Sequence, residues 1–298
     1  MERSEQHCED VSSLRCDLHT HSVYSDGTYT PGEIVAEAKR LGLVVALTDH
    51  NTAAGLPEFM NAAQKLGVTA VPGVEFSTDD KGKELHLLGL FVLPEHYAAV
   101  ERMVREQHIL KEISNMELVE RLNQAGYLID YAKVKGRNPN GNANRAHVAA
   151  ELLEQGYVTS IREAFDTILN DGGGFYVPPS RLQLIDVIKE LRRIGVLPVL
   201  AHPLQELTER ELRELLPNAI EAGLVGLETM HSSYTAEMIS LAEGIAAEFS
   251  LLSSGGSDFH GSVKPDISLG SGKGGLFVPV SKYEKLKALQ RELKKPNV

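Results

Sequence analysis

The sequence has little cysteine, no tryptophan and no long apolar run. Its 298 residues include only two cysteines, Cys8 and Cys16, too few for the disulfide framework of a secreted domain, so a reducing cytoplasm is expected. The N-terminal stretch carries no apolar signal-peptide core, and no later run approaches the ~18 apolar residues of a membrane span. We therefore expect a cytoplasmic protein without membrane association, and nothing implies a stable protein partner.

The charge balance excludes another class of function. The formal net charge is −11 at pH 7, which argues against loose, non-specific binding to nucleic acid or to an anionic membrane. It does not exclude an enzyme that processes nucleotides, because bound divalent metals reverse the charge locally. A chain of this length can form one large domain or a barrel that carries an insertion.

Short, β-branched apolar runs alternate with helical patterns, which predicts an α/β fold. The runs are almost continuously apolar, as expected of strands covered on both faces. The candidate strands are Leu14–Leu18, Leu43–Leu47, Val68–Val71, Leu85–Val92, Val196–Ala201, Val225–Thr229, Ser250–Ser253 and, less clearly, Gly275–Val280. A capping box at Thr30-Pro31-Gly32-Glu33 predicts a helix that ends at Gly42.

The alternation breaks between about Pro94 and Pro179, where no convincing strand occurs. Helical patterns fill this stretch, interrupted by an Asn- and Gly-rich polar loop over Lys135–Asn144. We interpret it as a helical insertion over residues 94–179, within an α/β unit formed by 14–93 and 180–298. The alternative is a set of ordinary barrel helices with unrecognised strands between them.

Side chains that bind divalent cations cluster at or beside the predicted strands. Two of them form a His-x-His pair and two an Asp-x-His pair, in which both side chains of extended chain point the same way. Because the carboxyl ends of parallel barrel strands meet on one face, these side chains should converge. Histidine with carboxylate suits Zn²⁺, Mn²⁺ or Fe²⁺ better than Mg²⁺ or Ca²⁺. The nine residues are His19, His21, Asp26, His50, Glu75, His86, His202, Asp258 and His260.

These motifs resemble those of the PHP (polymerase and histidinol phosphatase) superfamily, and the match runs from about Leu14 to Gly261. It resembles most the branch with a helical insertion after the fourth strand, which includes 3′,5′-nucleotide bisphosphate phosphatases and a 5′-to-3′ exoribonuclease. The matching segments are Asp17-Leu18-His19-Thr20-His21-Ser22, Ser25-Asp26-Gly27, Leu47-Thr48-Asp49-His50-Asn51, Pro72-Gly73-Val74-Glu75, Ala201-His202-Pro203 and Ser257-Asp258-Phe259-His260-Gly261.

The resemblance implies a distorted (β/α)₇ TIM-like barrel capped by the insertion, with two or three divalent ions, most often Mn²⁺, although Fe²⁺ or Zn²⁺ would also fit. It implies hydrolysis of phosphate esters of nucleotides or short oligonucleotides by a metal-bridging hydroxide. The implied ligand sets are His19, His21, Glu75 and Asp258 for the first ion; Asp26, His50 and His260 for the second; and Glu75, His86 and His202 for the third.

Other residues are expected to serve the same site. Asn144-Arg145-Ala146-His147 is similar to a family segment whose arginine contacts phosphate, so Arg145 and His147 are substrate-binding candidates. Gln205 stands where the family often has a second arginine, and Lys264 could replace the missing charge. Asp17 and Asp49 are interpreted as carboxylates that orient imidazoles, and Glu228 and His231 as residues behind or at the rim of the site.

Three alternatives differ in substrate or role. A histidinol-phosphate-type phosphatase would act on a smaller molecule, which the insertion disfavours. An amidohydrolase usually needs a carboxylated lysine or another ligand order, whereas His86 lies on the fourth predicted strand. A non-catalytic metal-binding module would tend to have lost ligands, and all nine positions are filled.

Overall fold

The computed structural model describes residues 14–138, 143–170, 174–177 and 181–293. Cys8 and the predicted domain boundary at Pro179 therefore lie outside the described residues, as does part of the predicted polar loop. The strands are β1 (Arg15–Asp17), β2 (Leu43–Leu47), β3 (Ala70–Asp80), β4 (Lys83–Leu90), β5 (Leu182–Gln183), β6 (Leu197–Leu200), β7 (Gly226–His231) and β8 (Leu252–Gly256).

Helices alternate with most of these strands, as the sequence predicted. The helix α1 has both hydrogen bonds of the predicted capping box at Thr30 and Glu33, and Gly42 ends it in the left-handed conformation. The helices are α1 (Pro31–Leu41), α2 (Leu56–Leu66), α3 (Tyr97–Gln124), α4 (Tyr131–Gly136), α5 (Arg145–Glu154), α6 (Ile161–Thr167), α7 (Leu184–Arg193), α8 (Glu209–Ala222), α9 (Ala236–Glu248) and α10 (Val280–Leu293).

Seven strands form an almost closed barrel in the order β1-β2-β3-β4-β6-β7-β8, and β5 pairs with β3 outside this path. The Leu18 amide donates to the Gly255 carbonyl at 3.1 Å, which brings the first strand to the last. The segment predicted as a final strand, Gly275–Val280, forms only an isolated bridge between Pro279 and Arg15. The predicted α/β barrel is confirmed, and the last strand is not.

The fourth strand departs from the expected parallel arrangement, because β4 is antiparallel to both β3 and β6. The third strand was predicted to end at Val71 but continues to Asp80. A two-residue turn then reverses the chain at Lys81 and Gly82, whose φ values of 53° and 84° match the favoured hairpin turn. The first half of β4 consequently lies at the edge where the parallel strands end, and that half carries His86.

The helices α3–α6 lie between β4 and β5, where the insertion was predicted. The first half of α3 packs on the barrel through Val100 and Val104, while its second half enters a separate core with Leu118 and Leu122. Part of the predicted polar loop is helical, since α4 extends to Gly136. Within the ranges given above, no helix is both long and apolar enough to span a membrane.

Candidate metal centre

Glu75 lies at the middle of a cluster of histidines at one end of the barrel. Its side chain is completely buried, and its two carboxylate oxygens face five imidazoles. The facing ring nitrogens lie 2.9–3.2 Å from those oxygens and belong to His19, His21, His50, His86 and His202.

Two aspartates complete the cluster. Asp258 Oδ1 lies 3.3 Å from His21 Nε2 and 3.4 Å from His260 Nδ1. Asp26 Oδ1 lies 3.2 Å from His260 Nε2, and Asp26 Oδ2 lies 3.8 Å from His50 Nε2. The structure therefore brings all nine predicted ligand residues into one continuous group.

The backbone at the strand ends is held in unusual conformations that aim these side chains inward. His202 and Asp258 have φ values of 25° and 57°, in the left-handed region that non-glycine residues rarely occupy, and such conformations cost about 1–3 kcal/mol each. Close approach of β8 to β1 depends on Gly256, because a Cβ there would lie 2.4 Å from His19 Cβ. The surrounding packing thus supports a strained arrangement at the centre.

Electrostatics within the cluster keep the central carboxylate ionised. Burial raises the pKa of Glu75, but the surrounding imidazoles outweigh burial and hold it well below its ordinary value. Burial lowers the pKa of His86, and the facing carboxylates of Glu75 and Glu84 outweigh that effect and raise it to about 10. Burial lowers the pKa of His50 to about 3.

The donor atoms fit divalent cations. Several buried polar atoms that point into the cluster have no hydrogen-bond partner among the described residues, and a bound cation would satisfy them. They include His19 Nε2, His21 Nε2, His50 Nδ1, Glu75 Oε2 and Asp26 Oδ1. The groups whose ligand atoms lie within 4.8 Å of one another are His21-Asp26-His50-His260, His19-His202-Glu228, His19-His21-Glu75 and His50-Glu75-His86.

In two histidines the ring nitrogen that faces away from the cluster, Nδ1, lies beside a hydrogen-bond acceptor. This contact decides which nitrogen of each ring is left to bind a metal. His19 Nδ1 lies 3.1 Å from Glu228 Oε1, and His260 Nδ1 lies 2.9 Å from the Asp258 carbonyl. Each Nδ1 therefore carries the proton, which leaves Nε2 with its lone pair directed into the cluster. Glu228 also accepts from the His202 amide at 2.8 Å, so it anchors two strand ends.

Asp17 and Asp49 do not have the predicted role of orienting imidazoles. Asp17 accepts hydrogen bonds from the Ser257 amide and hydroxyl and from the Gly270 amide. Asp49 accepts from the Ser22 amide and hydroxyl and from the Ser25 hydroxyl. These buried carboxylates fix the loops that follow β1 and β8, whereas Glu228 lies against His19 and Glu84 lies against His86.

A cleft opens between this cluster and the inserted helices. A cavity of about 370 Å³ is lined on the barrel side by Asp26 and His50 and on the insertion side by Gln107 and Lys111. A second cavity of about 140 Å³ shares Gln107 and Lys111 with the first. The insertion is fastened there by hydrogen bonds from Gln107 Nε2 to the Ser77 carbonyl and between His108 Nε2 and the Asn51 carbonyl.

Three cations line the second cavity: Lys111, Arg145 and Arg181. The Arg145 guanidinium carbon lies 4.5 Å from the centroid of the Tyr176 ring. Arg181 pairs with Glu84 Oε2 at 2.6 Å, and Glu84 Oε1 lies 3.6 Å from His86 Nε2. Burial and the neighbouring arginines lower the pKa of Lys111. Lys111 and Arg181 were not recognised in the sequence, where no motif marks them.

The other substrate-binding candidates also contact protein groups, as Arg145 does through the Leu169 carbonyl at 3.5 Å. The Asn144 amide donates to His147 Nδ1, which makes His147 part of the cap of α5. Lys264 Nζ lies 2.5 Å from Asp258 Oδ2, so its charge is paired within the cluster. Gln205 Nε2 lies 3.0 Å from His231 Nδ1 and 2.7 Å from Ser233 Oγ.

Comparison with known proteins identifies relatives along most of the chain. A 5′-3′ exoribonuclease from Haemophilus influenzae is 32% identical over 82% of this chain and 89% of its own length. A phosphoribosyl 1,2-cyclic phosphate 1,2-diphosphodiesterase from Eggerthella lenta is 30% identical over 82% of this chain and 94% of its own length. A 3′,5′-nucleoside bisphosphate phosphatase from Chromobacterium violaceum is 31% identical over 82% and 86%.

The fold and a family model agree with these relatives. A protein from Bifidobacterium adolescentis assigned as a metal-dependent phosphoesterase superimposes with a TM-score of 0.82 at 28% identity, over 93% of this chain and 96% of that structure. The model of the PHP domain matches residues 17–176, which include Glu75, the histidines that follow β1 and β2, and His86 on β4. This chain belongs to the PHP domain family, and it is a metal-dependent phosphoesterase.

Proposed function

We propose that this phosphoesterase hydrolyses phosphate esters of nucleotides or short oligonucleotides that carry a second phosphate group. The observation that supports this proposal most strongly is the pair of neighbouring cavities, which share Gln107 and Lys111 in their walls. One cavity borders the metal-type cluster at Asp26 and His50, and the other is lined by three cations in a chain of net charge −11. A reacting phosphate in the first cavity leaves the second for another anionic group.

The proposed metal ligands are the nine residues of the cluster, divided into the three sets implied by the family resemblance, with Glu75 shared. The mixture of imidazoles and carboxylates favours Mn²⁺, with Fe²⁺ or Zn²⁺ as alternatives, over the all-oxygen ligation of Mg²⁺ or Ca²⁺. Two or three such ions, when bound, neutralise phosphoryl charge and activate water for attack on phosphorus. The chain contributes fixed imidazole orientations through Glu228 and the Asp258 carbonyl.

Arg145 is proposed to bind the second phosphate. A guanidinium can form two parallel hydrogen bonds to phosphate oxygens, and stacking on Tyr176 restricts where the Arg145 group lies. An anion in this cavity would also stabilise the charged form of Lys111, whose pKa burial lowers. Arg181 is partly neutralised by Glu84 and so contributes less.

The insertion is proposed to act as a capping domain over residues 94–179, with the barrel domain formed by 14–93 and 180–298. The separate core of α3–α6 supports this division, although the start of α3 packs on the barrel. His147 would stabilise the N-terminal cap of α5 near the cleft. A cytoplasmic location remains a prediction from the cysteine content alone.

The proposal is tested by reconstituting the protein with Mn²⁺ and measuring kcat/KM for a panel of phosphate esters. The panel contains adenosine 3′,5′-bisphosphate, 5′-phosphorylated oligonucleotides, a ribose 1,2-cyclic phosphate, histidinol phosphate and a simple aryl phosphate. Nucleotides with a second phosphate should be the best substrates. Preference for histidinol phosphate or the aryl phosphate would contradict the proposed substrate class while leaving the phosphoesterase core intact.

A further inference from the structure

His231 lies at the end of β7 beside the metal-type cluster, yet it is not one of the nine predicted ligands. Its side chain is buried, with 3% of the residue exposed, and Nε2 points towards Asp258 Oδ2 at 3.5 Å. The ring centroid lies 5.1 Å from that of His202. Nε2 is nevertheless a buried atom without a hydrogen-bond partner in the part of the chain that the structure describes.

The other ring nitrogen of His231, Nδ1, faces a backbone amide, a side-chain amide and the Ser233 hydroxyl. The hydroxyl oxygen lies 2.8 Å from Nδ1 and itself accepts from Gln205 Nε2 at 2.7 Å. The Ser233 backbone amide lies 3.2 Å from Nδ1, and Gln205 Nε2 lies 3.0 Å away. A backbone N–H can only donate, so Nδ1 must accept. In a neutral imidazole the single proton then lies on Nε2, the nitrogen that faces the centre.

This arrangement is the reverse of that at His19. The Nδ1 atom of His19 lies 3.1 and 3.3 Å from the two carboxylate oxygens of Glu228. An ionised carboxylate can accept hydrogen bonds but cannot donate them. His19 therefore presents a lone pair to the centre, as a metal ligand must, whereas His231 presents an N–H group. The groups beside Nδ1 therefore differ between the two histidines: they leave His19 Nε2 able to bind a metal and His231 Nε2–H able to donate a hydrogen bond.

We propose that the His231 Nε2–H group donates a hydrogen bond to a phosphoryl oxygen of the bound substrate, and that Gln205 is the positioning residue that fixes this tautomer. The inference rests on the proposed function, because it assigns a contact within the same site. It also gives Gln205 a role at the position where the family resemblance implies an arginine. Gln205 acts through His231 and adds no charge of its own.

The test uses the Mn²⁺-loaded enzyme and two readouts: kcat for the best phosphoester, and the affinity for inorganic phosphate measured by calorimetry. Replacing His231→Leu should weaken phosphate binding by about tenfold or more, the loss expected for one hydrogen bond to a charged group. The metal content should stay the same. His231→Gln should restore most of the affinity, because its amide nitrogen can replace Nε2 as a donor.

A second variant tests the tautomer without changing His231. Gln205→Met removes the donor beside Nδ1 at almost the same side-chain size. It should weaken phosphate binding in the same direction as His231→Leu, and by less, because the Ser233 amide still donates to Nδ1. Gln64→Met, the same change at an exposed position on α2, serves as the matched control and should behave as the wild type does.

Two results would overturn the inference. His231→Leu and Gln205→Met could bind phosphate as tightly as the wild type, or His231→Leu could lose a metal ion, which would make His231 a ligand. Failure of the proposed function is distinguishable, because the wild type would then hydrolyse no member of the ester panel with a second phosphate, whatever its affinity for inorganic phosphate.

Discussion

The two walls of the cleft are built on different physical principles. On the barrel wall, His19 and Glu75 are completely buried, with His19 just after β1 and Glu75 on β3. On the insertion wall, Lys111 and Arg145 are long, half-buried cations on helices. Under the proposed function, the barrel fixes the chemistry, while the insertion selects the molecule on which that chemistry acts.

The largest effect is expected for Glu75→Gln, which removes the charge shared by the whole cluster. Five imidazoles face this carboxylate at 2.9–3.2 Å, so a neutral amide should leave the bound ions poorly compensated. We expect loss of metal, measured by elemental analysis after dialysis, and a fall in kcat/KM of about a thousandfold. If the variant kept its metal and its turnover, the proposal that the barrel wall carries the chemistry would be contradicted.

A smaller effect is expected for Glu228→Gln, because Glu228 acts through His19. Loss of a group that orients a ligand typically weakens metal affinity by about 10–100-fold, and a metal titration can measure this. Glu243→Gln is a suitable control, since Glu243 contacts Thr229 and Ser253 of the neighbouring strands outside the cluster. Equal losses in both variants would indicate a general disturbance of β7 and β8.

On the insertion wall, Lys111→Met should affect one substrate class only. The KM for adenosine 3′,5′-bisphosphate should rise about tenfold, as expected for one lost contact with a charged group, while an aryl phosphate should be unaffected. Lys189→Met, at an exposed position on α7, provides the control. An equal rise for both substrates would mean that Lys111 does not discriminate between them.

The smallest effect on the metal centre is expected for Leu152→Ala, in the separate core of the insertion. The space left by the shortened side chain should destabilise the packing of α3–α6 by about 2–5 kcal/mol. Hydrogen exchange should show lower protection of the backbone amides in these helices. Metal content should not change. If metal were lost together with the insertion's packing, the two walls would not be independent.

The barrel and the metal-type cluster could be predicted because their signals are local. The His19-Thr20-His21 and Asp258-Phe259-His260 pairs are read from alternation along extended chain, and the runs before them predict strands. The extension of β3 to Asp80 was missed because Pro72 and Gly73 interrupt the apolar run and the last four residues, Ser77 to Asp80, are polar and resemble a loop. Without that extension, the hairpin and the reversed direction of β4 could not be predicted.

The features of the cleft could not be predicted because they join distant parts of the chain. Arg181 and Glu84 are 97 residues apart, and their pairing depends on how the insertion returns to β5. Glu228 and His19 are separated by 209 residues, and no local pattern indicates which carboxylate will orient which imidazole. Asp17 and Asp49 were given that role because they lie close to ligands in sequence. Asp49 is adjacent to His50, and adjacent residues of extended chain face opposite sides. Asp17 instead accepts from Ser257 and Gly270, which are distant in sequence and could not be paired with it from a local pattern.

The most direct test of this division of labour is the specificity ratio of the Mn²⁺-loaded enzyme before and after Arg145→Ala. The ratio is kcat/KM for adenosine 3′,5′-bisphosphate divided by kcat/KM for an aryl phosphate. The account predicts a ratio well above one that falls by about tenfold or more in the variant, with the aryl phosphate activity and the metal content unchanged. A ratio that stays the same, or a loss shared equally by both substrates, would contradict it.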